Sequence, residues 1–327
     1  MDTSTNTAFQ TQKAFSETFL NDVLDGLGGS PKRLFSKYFY DQAGDRLFQQ
    51  IMEMPEYYLT DCELDVFKNK TRDIAAGILC QDGPFDLIEM GAGDAMKSSF
   101  LLEYLVKNNV DHTYIPIDIS GNILSVLTDK LKDALPQLKV VPLEGEYFEM
   151  LDRAVSLSGS RKVVLFLGGN IGNMEMEEAF HFCAALRKRL DKGDILLVGF
   201  DLKKNPHAVL KAYSDPAGIT AAFNLNLLSR INRELDAGFD IAGFEHYQTY
   251  DPVSGACRSY LVSLCEQTVT ICGKIINFEQ SELIDMEISQ KFSQQDIGRM
   301  AADSGFRILG EINDSKNWFT DSIWQAV

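Results

Sequence analysis

The first place where this sequence could do chemistry is a short glycine-containing segment that follows an apolar run. Phe85–Met90 is apolar enough to form a buried strand, and it leads directly into Gly91-Ala92-Gly93. Glycines at such a position let a ligand approach the backbone, and the N-terminus of a following helix favours polar or anionic groups. The segment therefore predicts a ligand-binding loop between a strand and a helix, with Gly91 and Gly93 as candidate binding residues.

Met96 excludes the two commonest phosphate-binding versions of this loop. A dinucleotide-binding fingerprint needs a glycine at the sixth position of the motif, and Met96 stands there. A phosphate-cradling loop needs a glycine directly before Lys97-Ser98, and that residue is again Met96. With Glu89 two residues before Gly91, the pattern instead favours a nucleoside cofactor that has no pyrophosphate, S-adenosylmethionine (SAM).

Two later strand ends carry groups that could bind the rest of this cofactor. Asp118 ends the apolar run Tyr114–Ile117, and a carboxylate there can accept hydrogen bonds from both ribose hydroxyls. A helix N-cap before Ser120 explains Asp118 about as well when the residue is taken alone. Glu146 and Tyr147 follow the third strand, where an adenine edge is usually read. An exposed acid and a packing aromatic explain that pair almost as well.

A second glycine-rich segment ends the fourth predicted strand. Gly168–Asn173 contains three glycines and two asparagines, so it offers little side-chain bulk and several hydrogen-bonding groups. In open parallel sheets, ligands bind outside the carboxyl ends of the strands, beside the point where the strand order reverses. The segment is therefore a second candidate binding loop, and a plain tight turn is the alternative interpretation.

The hydrophobic pattern predicts the elements that must position these loops. Short apolar runs alternate with helical patterns from residue 85 onward, which is typical of βαβ units and predicts a parallel sheet with helices on both faces. The predicted strands are 85–90, 114–117, 139–143, 163–167 and 195–200, and the predicted helices are 97–108, 121–134, 147–157 and 175–190. A helix at 293–304 and strands near 306–312 and 319–326 would return to the edge of this sheet.

The flanking segments predict a second domain that interrupts the first. Helices are expected at 15–27, 45–52, 206–213 and 220–235, and alternating runs at 241–250, 257–266 and 268–278 predict an antiparallel meander. Thr60-Asp61-Cys62-Glu63 is a capping-box pattern that predicts the start of a third N-terminal helix. The second domain would consist of the N-terminal helices and the 202–285 insertion.

Composition narrows the range of partners. The 327-residue chain carries 31 Lys plus Arg against 47 Asp plus Glu, a formal net charge of −16. A surface this negative repels phosphate backbones and anionic lipid, so nucleic acids and membranes are poor partners. The apolar runs are only strand-length, the N-terminus lacks a signal-peptide pattern, and the six cysteines and four histidines show no metal-ligand spacing. We therefore expect a cytoplasmic, metal-free protein that acts on a small molecule.

In chain order, these motifs and several others make a family resemblance recognisable. They are Lys37–Asp41, Pro55–Tyr58, Gly91–Gly93 with Lys97, Gly168–Asn173, Tyr213 with Ala217–Asn224, Phe244–His246 and Glu287–Phe292. From about residue 25 to the C-terminus, the sequence closely resembles the histidine-specific Nα-methyltransferases of ergothioneine biosynthesis.

This resemblance implies a fold, a domain division and a reaction. The fold is the α/β fold of class I SAM-dependent methyltransferases, with a doubly wound, mostly parallel seven-stranded sheet at 61–201 and 286–327. A second, α+β substrate-binding domain is expected at 1–60 and 202–285. The implied reaction is SAM-dependent trimethylation of the α-amine of L-histidine to hercynine, with S-adenosylhomocysteine as the second product and no metal. A monomer is expected.

The resemblance also implies roles for individual residues. Cofactor contacts are Gly91, Gly93, Lys97, Asp118, Glu146 and Tyr147, substrate contacts are Tyr57, Asn173, Tyr213, Thr220, Glu287 and Ser289, and catalytic tyrosines are Tyr40 and Tyr213. An imidazole has two ring nitrogens, so Glu287 can accept from one N–H while the Ser289 hydroxyl satisfies the other nitrogen. Their alternate spacing puts both side chains on one face if this segment is extended.

Two alternatives to histidine methylation follow from the same residues. Ser259 stands near the position where relatives often place a methionine against the imidazole, and a smaller residue there would loosen selectivity. N-methylation of another aromatic amino acid such as tryptophan is therefore one alternative, against which the Glu287 carboxylate argues. A non-catalytic SAM-binding module is the other, against which the intact set of amino-acid contacts argues.

Overall fold

The structure is a computed structural model that describes residues 17–81 and 83–327. The chain forms two compact units, the large-sheet unit (58–204 and 290–327) and the small-sheet unit (1–57 and 205–289, described from residue 17). The predicted domain boundaries, after residues 60, 201 and 285, lie close to these divisions. The roles assigned to the two domains stay predictions. Phe15 and the polar segment at the N-terminus lie outside the described residues.

The helices and strands alternate along the middle of the chain as expected. The N-terminal half contains α1 (17–28), β1 (Lys32–Arg33), α2 (Gln42–Glu53), α3 (Tyr58–Asn69), α4 (Thr71–Ile78), β2 (Phe85–Met90), α5 (Ser98–Lys107), β3 (His112–Asp118), α6 (Gly121–Ala134), β4 (Lys139–Val140), β5 (Leu143–Glu144) and α7 (Tyr147–Ser156). The C-terminal half contains β6 (Arg161–Phe166), α8 (Met176–Arg187), β7 (Ile195–Asp201), α9 (Pro206–Tyr213), α10 (Ile219–Leu235), β8 (Phe244–Tyr250), β9 (Ala256–Ser263), β10 (Gln267–Ile271), β11 (Lys274–Phe278), β12 (Leu283–Gln290), α11 (Gln294–Asp303), β13 (Phe306–Asn313) and β14 (Phe319–Ala326). None of the helices within the described ranges is long and apolar enough to span a lipid bilayer.

The large-sheet unit is built on a sheet with the strand order β13-β14-β7-β6-β2-β3-β4. β2 pairs in parallel with β3 and β6, and β6 pairs in parallel with β7, whereas β14 runs antiparallel to both β7 and β13. β4 and β5 both pair with β3 and share one strand position, because Pro142 between them has no N–H for the ladder. This order confirms the predicted doubly wound, mostly parallel methyltransferase sheet with seven strand positions, although 139–143 is not the single strand that was predicted.

Both faces of the large sheet are covered, which explains why its strands read as continuous apolar runs. Every residue of β2 and β7 is buried. Because successive side chains of a strand point to opposite faces, Ile88 and Val164 enter one core while Leu87 and Val163 enter the other. Helices α7, α8 and α11 complete the first core, and α3 to α6 complete the second.

The start of α3 differs from the prediction. The helix begins at Tyr58, so Thr60 lies inside its first turn rather than before it. Glu63, the last residue of the predicted capping box, is 1% exposed and takes part in long-range contacts described below. The capping-box interpretation of Thr60–Glu63 was therefore wrong. Both residues lie inside α3, and Glu63 is a buried carboxylate within the helix.

A buried ion cluster joins three segments of the large-sheet unit. Each segment lies next to a point where the chain passes from one unit to the other. Asp201, the last residue of β7, accepts hydrogen bonds from the Tyr58 hydroxyl at 2.9 Å and from Lys291 Nζ at 2.7 Å, and it pairs with Lys204. Lys204 also donates to the Tyr58 hydroxyl at 3.0 Å. Buried charges offset one another's desolvation only when they are paired this closely. Asp201 therefore ties Tyr58, Lys204 and Lys291 to the end of one central strand.

The small-sheet unit contains a sheet of order β1-β12-β9-β8. β8 and β9 are antiparallel, as predicted, and β1 adds to β12 in parallel. β1 was not predicted, because two residues are too few to show a hydrophobic pattern. Helix α10 covers one face of this sheet, where Phe223 and Leu227 share a core with Leu261 and Met286.

The segment 268–278, predicted as one strand of the meander, is instead a separate hairpin. β10 and β11 form a two-stranded sheet and are joined at Cys272-Gly273, where φ is +46° and +80°. Two successive residues with positive φ form the tight turn that a two-residue hairpin connection requires. Asn or Asp before Gly273 would have indicated such a turn, whereas Cys272 does not. The alternating pattern of 268–278 therefore predicted one continuous strand.

Asp215 provides a test of how the small-sheet unit fixes the start of α10. Its carboxylate accepts hydrogen bonds from the backbone N–H groups of Ile219 and Thr220, both at 2.8 Å. Burial raises the pKa of Asp215, but the backbone hydrogen bonds from Thr220 and Ile219 outweigh burial, so the pKa is lowered overall. We expect Asp215→Ala to reduce the free energy of unfolding at pH 7 by about 0.5–2 kcal/mol.

The effect should depend on pH in a defined direction. A carboxylate whose pKa is lower in the folded state stabilises the protein above its unfolded pKa, about 3.9, and loses this effect as the pH falls through its folded pKa. Urea unfolding of the wild type and Asp215→Ala should therefore show a smaller difference at about pH 3 than at pH 7. An equal difference at both pH values would contradict the capping role.

Candidate active site

The Gly91 loop is fastened to the end of the neighbouring strand. The N–H groups of Gly91 and Ala92 donate to the Ile117 carbonyl at 2.8 and 3.1 Å, and the N–H of Gly93 donates to Asp118 Oδ2 at 3.1 Å. Gly91 and Gly93 have φ of +72° and +53°, a conformation that side chains disfavour. The structure thus brings together three of the predicted cofactor residues, Gly91, Gly93 and Asp118.

The Asp118 carboxylate has two backbone partners and room for more. Its Oδ1 accepts from the N–H of Ser120 at 3.0 Å, while Oδ2 holds Gly93. The cap of α6 is Ser120 itself, whose side chain accepts from Ile123, so Asp118 is not the N-cap. A carboxylate can accept about four hydrogen bonds. Asp118 therefore retains acceptor capacity that suits a pair of ribose hydroxyls.

Tyr147 lies across the Gly91 loop at the start of α7. A Cβ on Gly91 would come within 2.7 Å of the Tyr147 hydroxyl oxygen, so a side chain at position 91 would force this hydroxyl to move. Burial, followed by the charges of Asp118 and Glu146, raises the pKa of Tyr147 to about 12, so its hydroxyl stays protonated at neutral pH. Glu146 occupies the N-cap position of α7 with an exposed side chain that makes no capping hydrogen bond.

Lys97 and the Gly168 segment share a partner that the sequence analysis did not identify. Lys97, which precedes α5, forms an ion pair with Glu63 of α3. The two carboxylate oxygens of Glu63 also accept the N–H of Gly168 at 2.8 and 2.9 Å. No spacing in the sequence joins residues 63, 97 and 168, so only the fold could reveal this contact.

The Gly168–Asn173 segment is a sharply turned loop that ends in a short 3-10 helix, Asn170–Asn173. Gly168 and Gly169 have φ of +82° and +67°. A Cβ on Gly172 would lie 2.7 Å from the carbonyl oxygen of Gln290, so the loop backbone passes close to the end of β12. Asn173 is exposed at the end of the loop, where its amide is accessible.

In the small-sheet unit, several predicted substrate residues come together. The hydroxyl of Tyr213, the last residue of α9, lies 2.7 Å from Ser289 Oγ. The rings of Tyr57 and Tyr213 meet edge to face at 6.1 Å. Glu287 lies two residues before Ser289 in β12, so both side chains point to the same face of the sheet. Tyr57, Tyr213, Glu287 and Ser289 therefore form one group, which we call the tyrosine–glutamate cluster.

Ser259 does not belong to this face of the sheet. Arg258 Nη1 contacts Asp285 Oδ2 at 3.2 Å, which shows that Arg258 and Asp285 point to the same side. By alternation, Tyr260 and Glu287 share that side, whereas Ser259 is buried on the other. Ser259 therefore lies on the sheet face opposite Glu287, and Tyr260 lies on the same face as Glu287.

Tyr40 and Thr220 are the other two predicted site residues of the small-sheet unit. Tyr40 is 44% exposed and packs edge-on against Phe48 and Phe223, with ring centroids 5.4 and 5.8 Å apart. Thr220 is buried in the first turn of α10, where its N–H is held by Asp215. Neither contact joins these residues to the tyrosine–glutamate cluster. Within the described residues, no group of three His, Cys, Asp or Glu side chains could hold a metal ion.

The family model of the SAM-dependent, histidine-specific methyltransferases matches residues 19–326. The chain belongs to this family. It is 32% identical over 308 residues to the histidine N-alpha-methyltransferase of Mycolicibacterium smegmatis, covering 94% of this chain and 92% of that protein.

Two further relatives support the same assignment. The histidine N-alpha-methyltransferase of Mycobacterium tuberculosis is 31% identical over 302 residues, which cover 92% of this chain and 90% of that protein. The ergothioneine biosynthesis protein 1 of Schizosaccharomyces pombe is 32% identical over 285 residues, which cover 85% of this chain but 37% of that protein. The family is SAM-dependent, and the Gly91 loop, Asp118 and Tyr147 lie in the large-sheet unit where such a fold binds its cofactor.

The close approach of Tyr147 to Gly91 can be tested by substitution. Gly91→Ala should destabilise the protein by about 1–2 kcal/mol because of its positive φ, and further because the new Cβ meets the Tyr147 hydroxyl. Removing that hydroxyl with Tyr147→Phe should relieve only the second part. The measurement is urea unfolding of the wild type, both single variants and the double variant.

Gly93→Ala is the matched control. Gly93 also has positive φ, but a Cβ there would meet nothing within 4 Å. Its destabilisation should be the same with and without Tyr147→Phe. A Gly91→Ala effect that is equally insensitive to Tyr147→Phe would show that the hydroxyl does not restrict this position.

Proposed function

We propose that this protein transfers methyl groups from SAM to the α-amine of L-histidine, up to the trimethylated product hercynine, as a step of ergothioneine biosynthesis. The observation that supports this most directly is the tyrosine–glutamate cluster, in which a carboxylate and a hydroxyl share one sheet face beside two tyrosines. Such a set suits an amino acid with an imidazole side chain. Membership of a histidine-specific family supports the same substrate.

Residues of the large-sheet unit would hold the cofactor. When bound, SAM supplies an electrophilic methyl group carried on a sulfonium sulfur. Asp118 offers its remaining acceptor positions to the ribose hydroxyls, and the cationic Lys97 suits the carboxylate of the methionine portion. Glu146 and the protonated Tyr147 would bind the adenine side. Gly91 and Gly93 keep the loop free of side chains at this position.

Histidine recognition would use complementary hydrogen bonds on the two ring nitrogens. Glu287 accepts from the N–H of the neutral imidazole, and the Ser289 hydroxyl donates to the unprotonated nitrogen. Either oxygen of the Tyr213–Ser289 pair can be the donor, so Tyr213 can donate to Ser289 and leave the serine hydrogen for the substrate. Tyr57, Asn173 and Thr220 are proposed as further substrate contacts.

Methyl transfer to an amine requires a neutral nitrogen whose lone pair points at the methyl carbon. Tyr40 and Tyr213 are the proposed orienting groups, because a phenol can accept a hydrogen bond from the amine without competing for its lone pair. Repeated transfer places one, two and then three methyl groups on the same nitrogen. A cytoplasmic, metal-free monomer remains the prediction for the state in which the protein works.

Asp118 should contribute to cofactor affinity. A hydrogen bond to a charged group is worth about 1.5–3 kcal/mol, so we expect Asp118→Ala to weaken S-adenosylhomocysteine binding about ten- to a hundredfold. Isothermal titration with S-adenosylhomocysteine measures this. Ser120→Ala is the control, because it removes the cap of α6 without touching the proposed ribose contact. Unchanged affinity in Asp118→Ala would remove this residue from the cofactor site.

Glu287 should decide the preference for histidine. Glu287→Ala leaves an imidazole N–H without an acceptor, so kcat/KM for histidine should fall by an amount equivalent to about 1–3 kcal/mol. The variant also removes a carboxylate that a larger ring must desolvate, so the preference should move toward tryptophan. The measurement is kcat/KM for both amino acids.

Asp285→Ala is the control for this experiment. Asp285 lies on the same strand face, two residues away, and is paired with Arg258. Its loss should leave the histidine-to-tryptophan ratio unchanged. If Glu287→Ala also leaves the ratio unchanged, Glu287 does not read the imidazole.

A further inference from the structure

Glu63 is a buried carboxylate for which the proposed chemistry has no direct use. It lies on α3, is 1% exposed, and contacts two segments that are far apart in sequence. Its Oε2 forms an ion pair with Lys97, the residue that precedes α5, and both of its oxygens accept the N–H of Gly168. Lys97 follows the proposed cofactor loop, and Gly168 opens the loop that ends at the proposed substrate residue Asn173.

The surrounding sheet is shaped to admit this carboxylate. A Cβ on Gly199 of β7 would lie 2.4 Å from Glu63 Oε1. Because glycine has no side chain, the Glu63 carboxylate can pack against the strand at this position. Asp321 of β14 stands opposite Gly199 in the ladder and is fully buried. Burial, and next the charge of Glu63, raise the pKa of Asp321 well above its usual range. The ion pair that Lys97 forms is with Glu63.

We propose that Glu63 is a positioning residue that holds Lys97 and the Gly168–Asn173 loop in one fixed arrangement within the large-sheet unit. This inference rests on the proposed function, since it takes Lys97 as a cofactor contact and Asn173 as a substrate contact. A carboxylate fixed by three contacts cannot follow one partner without releasing the other. Glu63 thereby keeps the Lys97 ammonium ready for a carboxylate and the loop ready for the amino acid, without touching either ligand.

Glu63→Gln separates this role from a general contribution to stability. The amide has the same shape but carries no charge, so it loses the ion pair with Lys97 and one of the two acceptors for Gly168. We expect S-adenosylhomocysteine to bind about tenfold more weakly by isothermal titration. In a Lys97→Met background, Glu63→Gln should add less than about twofold, because its effect passes through Lys97.

The effect of Glu63 on the Gly168–Asn173 loop can be measured without any ligand. Hydrogen exchange measured by mass spectrometry should be faster in the peptide that covers 168–173 when Glu63 is Gln, because the N–H of Gly168 loses an acceptor. This arm does not depend on the identity of the substrate. If the wild type fails to bind histidine, the proposed function is wrong, while the exchange and S-adenosylhomocysteine results still decide the role of Glu63.

Asp86→Asn is the matched control. Asp86 lies at the start of β2 and forms a buried ion pair with Lys162 at 2.9 Å, with side chains 7% and 6% exposed. Its loss should lower stability while leaving S-adenosylhomocysteine affinity and exchange at 168–173 unchanged within about twofold. If Glu63→Gln does not fold, Gly199→Ala displaces the same carboxylate from the strand side, together with the Phe319 ring, and should give the same two effects.

Two results would overturn the proposal. One is a Glu63→Gln variant that behaves like Asp86→Asn, with lower stability but unchanged affinity and unchanged exchange at 168–173. The other is a loss of S-adenosylhomocysteine affinity that is as large with Lys97→Met as without it. Either result would reduce Glu63 to a structural ion pair.

Discussion

The parallel alignment of β2, β3 and β6 is the constraint on which the rest of the large-sheet unit depends. Because parallel strands end at one edge of a sheet, the loops that follow them meet there whatever their separation in sequence. Ile117 and Asp118 at the end of β3 hold the N–H groups of the Gly91 loop. The positive φ of Gly91 and Gly93 lets that loop turn tightly enough to be held. Backbone hydrogen bonds at one sheet edge thus hold the loop that we propose as the cofactor site.

Buried charges fix what the backbone does not. Three buried carboxylates of the large-sheet unit are paired with lysines: Asp86 with Lys162, Glu63 with Lys97, and Asp201 with Lys204 and Lys291. A buried ion pair adds little net stability, but removal of one partner leaves a costly unpaired charge. Such pairs therefore specify an arrangement more than they strengthen it. Glu63 fixes the arrangement of the proposed ligand loops. Asp201 fixes the arrangement of the chain segments next to the divisions between the units.

The sequence predicted those features that depend on local pattern. Strands buried on both faces read as apolar runs, so the large sheet, its helices and the Gly91 loop were all predictable. The position of a β9 residue relative to Glu287 depends instead on how β9 lies beside β12, which no local pattern records, and the structure puts Ser259 on the face opposite Glu287. Glu63 was misread for the same reason. Its short spacing to Thr60 suggested a cap, whereas its partners lie 34 and 105 residues away.

Analysis of the product tests the central claim most directly. The full-length protein is incubated with SAM and equal concentrations of L-histidine, L-tryptophan and L-tyrosine, and the amino acids are analysed by mass spectrometry with fragmentation. Histidine alone should gain one, two and three methyl groups, all on the α-nitrogen, with matching release of S-adenosylhomocysteine. Methylation of tryptophan or tyrosine in preference to histidine, or methylation of the imidazole ring, would contradict it.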